Sequence, residues 1–196
     1  MRIHIAIKGT SPLMMHNEQL SDPDHEITKA IKELTAKGVN QTDADRKQIR
    51  RLEWQGGLYL HEGKIVVPAV NIIRSFRDAA AMTKKGKDVA GAIIPLVLNI
   101  PLIYDGPADL NKLYADDRFS DSRQVKVGRG RIKRTRPIFN KWALGADFEL
   151  MEDAMNLSTF DAIFERAGMI KGLGDGRIIG YGRFEGKVTK VLAKAA

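Results

Sequence analysis

Residues 118–141, RFSDSRQVKVGRGRIKRTRPIFNK, limit what this chain can fold into more than any other stretch. They carry nine basic residues (Arg118, Arg123, Lys126, Arg129, Arg131, Lys133, Arg134, Arg136 and Lys141) against one acid, Asp121, a net charge of +8. The whole chain is also +8, so its other 23 basic and 23 acidic residues cancel. Cations that repel one another resist burial together, which puts this window on a surface and leaves the core to the flanking sequence. Concentrated positive charge interspersed with Gly and aromatic residues is the footprint of a polyphosphate partner. The plain alternative is a solvated loop that keeps the protein soluble.

A length of 196 residues fits one domain, or one domain with a large insertion, and an apolar share of 43% supplies a core. No apolar run is long enough to span a membrane. The start, MRIHIAIKG, alternates like a strand and lacks the apolar block of a signal peptide. The absence of Cys excludes disulfides and thiolate metal sites and agrees with a reducing compartment. A cytoplasmic protein is expected.

In chain order, Ile3, Ile5 and Ile7 share one face of a half-buried strand at 2–8, with Arg2, His4 and Lys8 on the other. Gly9 and Pro12 then break it. A polar insertion over about 14–64 contains two helical patterns, one at 25–37 ending at Gly38 and one capped by Thr42 or Asp43. Ahead of the first lie Asp22, Asp24, His25 and Glu26, which suit either a divalent ion or a helix N-terminus. A hairpin around HEGK leads to Pro68, which opens a helix at 69–82 whose stripe reads Val70, Ile73, Phe76, Arg77 and Ala80. The apolar run 96–104 predicts a buried strand with a bulge or edge at Pro101. A second insertion, about 105–142, holds the basic window, and its alternation predicts an extended hairpin with the cations outside. A strand at 145–151, a helix at 158–168 capped by Ser158, a glycine-dense loop and a strand at 183–191 complete the chain.

Without its insertions this order is βαββαβ, an α+β ferredoxin-like core of the RNA-recognition type. Such a sheet packs helices on one face and leaves the other open, so a single domain over 1–196 is expected.

Three segments, GTSPLMMHN after the first strand, VPAVNIIRSFRDAA at the first core helix and GLGDGRIIGYGRFEG before the last strand, resemble the RAMP superfamily of CRISPR-associated proteins. RTRPIFNKWALGADFEL is similar to the family's approach to its third core strand. The motifs occur in the family's order and span the chain in outline. The layout resembles the repeating backbone subunits of effector complexes, whose thumb-like insertion lies where the basic window lies here. The chain departs by its shortness and by reading PAVN where the family has PGSS, which removes a glycine from that helix start. The shortness fits a stand-alone or virus-borne relative.

The nucleic-acid-binding candidates are Arg74, Arg77, Arg123, Lys126, Arg129, Arg131, Lys133, Arg134, Arg136, Lys171, Gly172, Gly174, Arg177 and Tyr181. The glycine loop either faces phosphate with its backbone N–H groups or is a tight turn against the sheet. Arg77 either reaches a strand or pairs with Asp78 or Glu53. Phe139 and Trp142 either stack on bases or belong to the core. The leading expectation is a non-catalytic protein that coats single-stranded nucleic acid, RNA favoured over DNA. It would associate with itself along a guide, alone or with other effector subunits, away from membranes and without cofactor or metal. The alternatives are a virus-encoded single-strand DNA-binding or annealing protein, and a metal-dependent endoribonuclease using Asp22 and Asp24 with His16 or His25.

Overall fold

Alternation in the first eight residues sets the first sheet. In a computed structural model that describes residues 1–128 and 130–191, and only the backbone of Val127, Ile3, Ile5 and Ile7 are buried to 3% exposure or less. The strands are β1 (Arg2–Gly9), β2 (Leu13–Met14), β3 (Leu60–His61), β4 (Lys64–Pro68), β5 (Ile93–Pro95), β6 (Asn99–Pro101), β7 (Ile103–Tyr104), β8 (Ser120–Val127), β9 (Gly130–Phe139), β10 (Trp142–Leu150) and β11 (Phe184–Lys190). The helices are α1 (Glu26–Ala36), α2 (Asp43–Gly57), α3 (Ala69–Ala81), α4 (Gly86–Ala92), α5 (Leu110–Ala115) and α6 (Leu157–Arg166).

The chain divides into two compact units, one of residues 1–13, 60–105 and 140–196 and one of residues 14–59 and 106–139. In the first, the sheet order is β11-β1-β10-β5, all antiparallel, with β7 also on β10. Counting β1, β5, β10 and β11 as core strands, this is the ferredoxin-like order 4-1-3-2, with α3 and α6 as the core helices. Ile3 stands opposite Phe148, Ile5 opposite Ala146 and Ile7 opposite Leu144, so one face is continuously apolar. Phe76 of α3 meets Phe160 of α6 edge-on at 5.3 Å, and Phe164 lies 5.5 Å from Phe184.

Three expectations for this unit need correction. The apolar run 96–104 is not one strand. Pro101 interrupts it, Leu96 to Leu98 are exposed, and the second core strand is Ile93–Pro95, just ahead of the run and preceded by the helix α4. The buried stripe of α3 is Ala69, Ile72, Phe76, Ala79 and Ala80, while Val70 and Arg77 are exposed. Asn156, not Ser158, caps α6 by accepting the Thr159 N–H. Of the two readings open for Phe139 and Trp142, burial in the core is the one seen, each in its own unit, with Trp142 lying against Gly9 and donating to the Ser11 carbonyl at 2.8 Å.

The second unit joins the helical insertion to the long hairpin β8/β9. Its α2 begins with a capping box in which Thr42 and Asp45 satisfy each other's backbone N–H. Hydrogen bonds from Lys37 and from Thr42 hold the Asp45 carboxyl down at about 2. At its other end, Gly56 and Gly57 let the helix approach closely, since a Cβ at Gly57 would sit 2.8 Å from Pro137 of β9. Trp54 is buried, donates to the Phe119 carbonyl at 2.7 Å and meets Tyr114 of α5 at 5.2 Å. No helix among the described residues is long and apolar enough to cross a membrane.

Candidate nucleic-acid interface

The basic window folds as an antiparallel hairpin whose register stacks like charges. Arg123 faces Arg134 and Lys126 faces Arg131 across the strands, an arrangement that costs stability unless each charge finds relief. Near the base the relief is built in. Arg123 donates to Asp121 through two nitrogens, both at 2.5 Å, and Arg134 donates to Glu53 of α2 at 2.5 Å. Glu53 is 4% exposed and also accepts the Thr135 N–H at 2.8 Å, so it anchors β9 to the helix. Ser122 and Thr135 share a hydroxyl hydrogen bond of 2.7 Å in the same stretch.

Towards the turn that relief is absent. Lys126, Arg131 and Lys133 are exposed, and among the described residues no acid forms an ion pair with them. Arg129 lies outside the described residues. Arg136 is half-buried, with its guanidinium against the Met14 sulfur.

Within this unit the hairpin and the two insertion helices enclose a cleft of about 720 Å³. Lys126, Lys133, Arg134 and Arg136 from β8 and β9 line it together with Lys32 of α1 and Arg46 and Arg50 of α2. Among the described residues that line it Glu53 is the one acid, and Arg134 already donates to it. The sequence reading omitted Lys32, Arg46 and Arg50. The signal for the last two was the i, i+4 spacing that puts them on one side of α2. Arg46 is also held locally, by Asp43 at 2.6 Å and the Gln41 carbonyl at 2.7 Å.

The remaining candidates lie in the first unit. Arg74 and Arg77 are exposed on α3. Neither acid proposed for Arg77 is held by it: Asp78 accepts from Arg177 at 3.0 Å, and Glu53 from Arg134. The glycine loop is bound into its surroundings. Gly172 donates to the Ala167 carbonyl, and its own carbonyl accepts the buried Ser75 hydroxyl at 2.8 Å. Leu173 N–H reaches the Gly182 carbonyl, and Gly182 N–H reaches that of Pro12. Ser11 donates its hydroxyl to the Gly180 carbonyl and accepts the Arg183 N–H, each at 2.8 Å. The GTSP turn and the glycine loop are thus two halves of one hydrogen-bonded corner. Lys171 and Tyr181 are half-buried beside it, and Gly174 is exposed.

The open face of the sheet carries Arg2, Lys8 and Lys187 against Asp147, Glu149 and Glu185, with small residues Ala6, Ala143 and Gly145 between them. It has balanced charge, unlike the hairpin. His4 lies over Gly145 and shares a 2.6 Å hydrogen bond with Asp147.

The carboxylates proposed for an endoribonuclease are occupied locally. Asp22 accepts the Asp24 N–H at 2.9 Å, and the His25 ring caps α1 by accepting the Ile27 N–H. Among the described residues no group of three or more His, Asp or Glu is arranged to hold a metal ion.

No family model matches this sequence. No curated protein matches it either. Among solved structures, the chain is similar to the crystal structure of Cmr6 from Pyrococcus furiosus, at 10% identity and a TM-score of 0.36 over 95% of this chain and 98% of that one.

Proposed function

We propose that this protein binds single-stranded nucleic acid without cleaving it, RNA in preference to DNA, and coats a guide strand by side-by-side association of copies. One observation carries the reading: the cations of the hairpin and of α1 and α2 converge on one cleft whose single acid is already paired. A polyanion supplies the missing counter-charge, and its bound cations are released to solvent as it docks. Lys126 and Lys133, which line the cleft, form the principal grip, and Arg123, Arg129, Arg131, Arg134 and Arg136 are further candidate contacts. Arg74, Arg77, Lys171, Gly172, Gly174, Arg177 and Tyr181 are the first unit's own candidate contacts. The preference for RNA, the guide role and the effector partners rest on the resemblance of the GTSPL, VPAVNIIRSFRDAA and GLGDGRIIGYGR segments to RAMP proteins.

The test is a titration with matched RNA and DNA oligonucleotides over a range of salt. Log K should fall with log salt at roughly −0.7 per phosphate contacted on a single strand. A flat salt response would remove the basis for the proposal. Equal affinity for RNA and DNA would leave strand coating in place and end the guide-RNA reading.

A further inference from the structure

The walls of the hairpin cleft are not all charged. Leu20, Ile31, Ile49, Val125 and Ile132 line it among the cations. Val125 and Ile132 are direct cross-strand partners, and the alternation of the strands puts Arg123, Arg134 and Arg136 on the same side of the ribbon. Ile132 is 37% exposed. The sequence predicted apolar positions turned in and cations turned out; at this end of the hairpin the two kinds of side chain share one open surface.

Phosphate recognition alone gives no reason for such a surface. An anion satisfies cations of the helices such as Lys32 and Arg50 but leaves Ile49, Val125 and Ile132 wet. A partner that is anionic and also offers flat apolar faces removes both costs together. Duplex nucleic acid stacks its bases inside and presents phosphate outside, whereas a single strand has bases free to turn into a pocket. The volume, about 720 Å³, falls within the range of small-ligand pockets, roughly 300–1,000 Å³, a size for individual bases rather than a helix.

We propose that this cleft receives unstacked nucleobases against Ile31, Ile49, Val125 and Ile132 while the surrounding cations hold the flanking phosphates. The assignment rests on the nucleic-acid reading above and adds a contact that is insensitive to salt. It makes the cleft a selector of single strands over duplexes, independent of sequence, because an aliphatic wall offers no hydrogen-bond code.

The experiment compares a short single-stranded RNA with an abasic strand of the same phosphate count, using the full chain, Ile132→Ser and Lys133→Ala. Ile132 is exposed enough to be replaced without opening the core. The abasic strand should bind about tenfold more weakly than the normal one, the loss expected for apolar surface left unburied. Ile132→Ser should bring the normal strand close to the abasic level, leaving abasic binding and the salt slope unchanged. Lys133→Ala should weaken both strands and make the slope shallower. Equal binding of the two strands by the full chain, or equal losses for both in Ile132→Ser, would overturn base capture while leaving phosphate binding standing. Binding of neither strand would end the nucleic-acid reading and base capture with it. Capture of phosphatidylserine vesicles in place of either strand would assign the apolar wall to acyl chains and overturn it too.

Discussion

The Glu53 carboxylate accepts from the Arg134 guanidinium at 2.5 Å and from the Thr135 N–H at 2.8 Å, tying α2 to β9 through a group that is 4% exposed. Replacing Glu53 with Ala leaves a buried N–H and a half-buried guanidinium without their acceptor. An unsatisfied buried donor costs about 1–3 kcal/mol, and the Arg134 contribution is discounted because its side chain is 40% exposed. Glu53→Ala should therefore lower unfolding free energy by roughly that 1–3 kcal/mol in urea titration. Glu53→Gln keeps one acceptor oxygen and should lose less. If both variants unfold at the wild-type midpoint, the anchor contributes nothing.

At the other end of the hairpin the sign reverses. Lys126 faces Arg131 with no acid paired to either among the described residues. Like charges placed opposite each other cost roughly 0.2–1 kcal/mol, so replacing Lys126 and Arg131 with Ala should leave stability unchanged or raise it by about that amount. The same double variant should lose affinity for oligonucleotides and show a shallower salt dependence, by up to about 0.7 for each phosphate contact removed. A variant that melts earlier yet binds normally would mean these cations serve the fold instead of a ligand.

These two ends of one hairpin show how much the sequence could disclose. The charge of residues 118–141 is a local sum, so its exposure follows from repulsion alone. The acid that neutralises Arg134 lies 81 positions earlier, and no local pattern reports such a pairing. The frame was legible for the same kind of reason: Ile3, Ile5 and Ile7 face one side of a strand because the pleat has a period of two. Residues 96–104 misled because an apolar run looks alike whether it is buried or, as at Leu96 to Leu98, exposed between two prolines. Arg77 misled because a helical stripe drawn one position off turns a solvent residue inward; the pattern of Ala69, Ile72, Phe76 and Ala79 lies beside the one drawn through Val70 and Ile73. Lys32 needed the folded unit, since the cleft it lines exists only once helix and hairpin meet.

The glycine corner makes a third test. Gly182 has φ of +69°, and a Cβ there would run into the Leu173 carbonyl oxygen. Gly182→Ala should destabilise the protein by at least about 1–3 kcal/mol. Ser75→Ala, which removes the buried donor to the Gly172 carbonyl, should cost about 1 kcal/mol. Lys171→Ala and Tyr181→Ala separate the two readings of this loop: normal stability with weakened oligonucleotide binding marks a phosphate contact, and unaltered binding in both assigns the loop to the fold.

Asp147 sets the expected response to acid. Hydrogen bonds from His4, the larger cause, and from Arg2 hold its carboxyl below the ordinary carboxylate range. A group whose pKa is lower folded than unfolded contributes stability above its unfolded value, and that contribution disappears as pH falls through the folded one. Wild type should therefore lose stability on the acid side of the ordinary carboxylate pKa partly through this residue. Asp147→Asn lacks the contribution at neutral pH and has nothing of it left to lose, so the gap between the two proteins should narrow on acidification. The side chain is 27% exposed, so solvent and salt reduce the effect, and low ionic strength is the condition in which to measure it. Parallel pH–stability curves for the two proteins would show that the His4–Asp147–Arg2 cluster on the open sheet face does not contribute to folding.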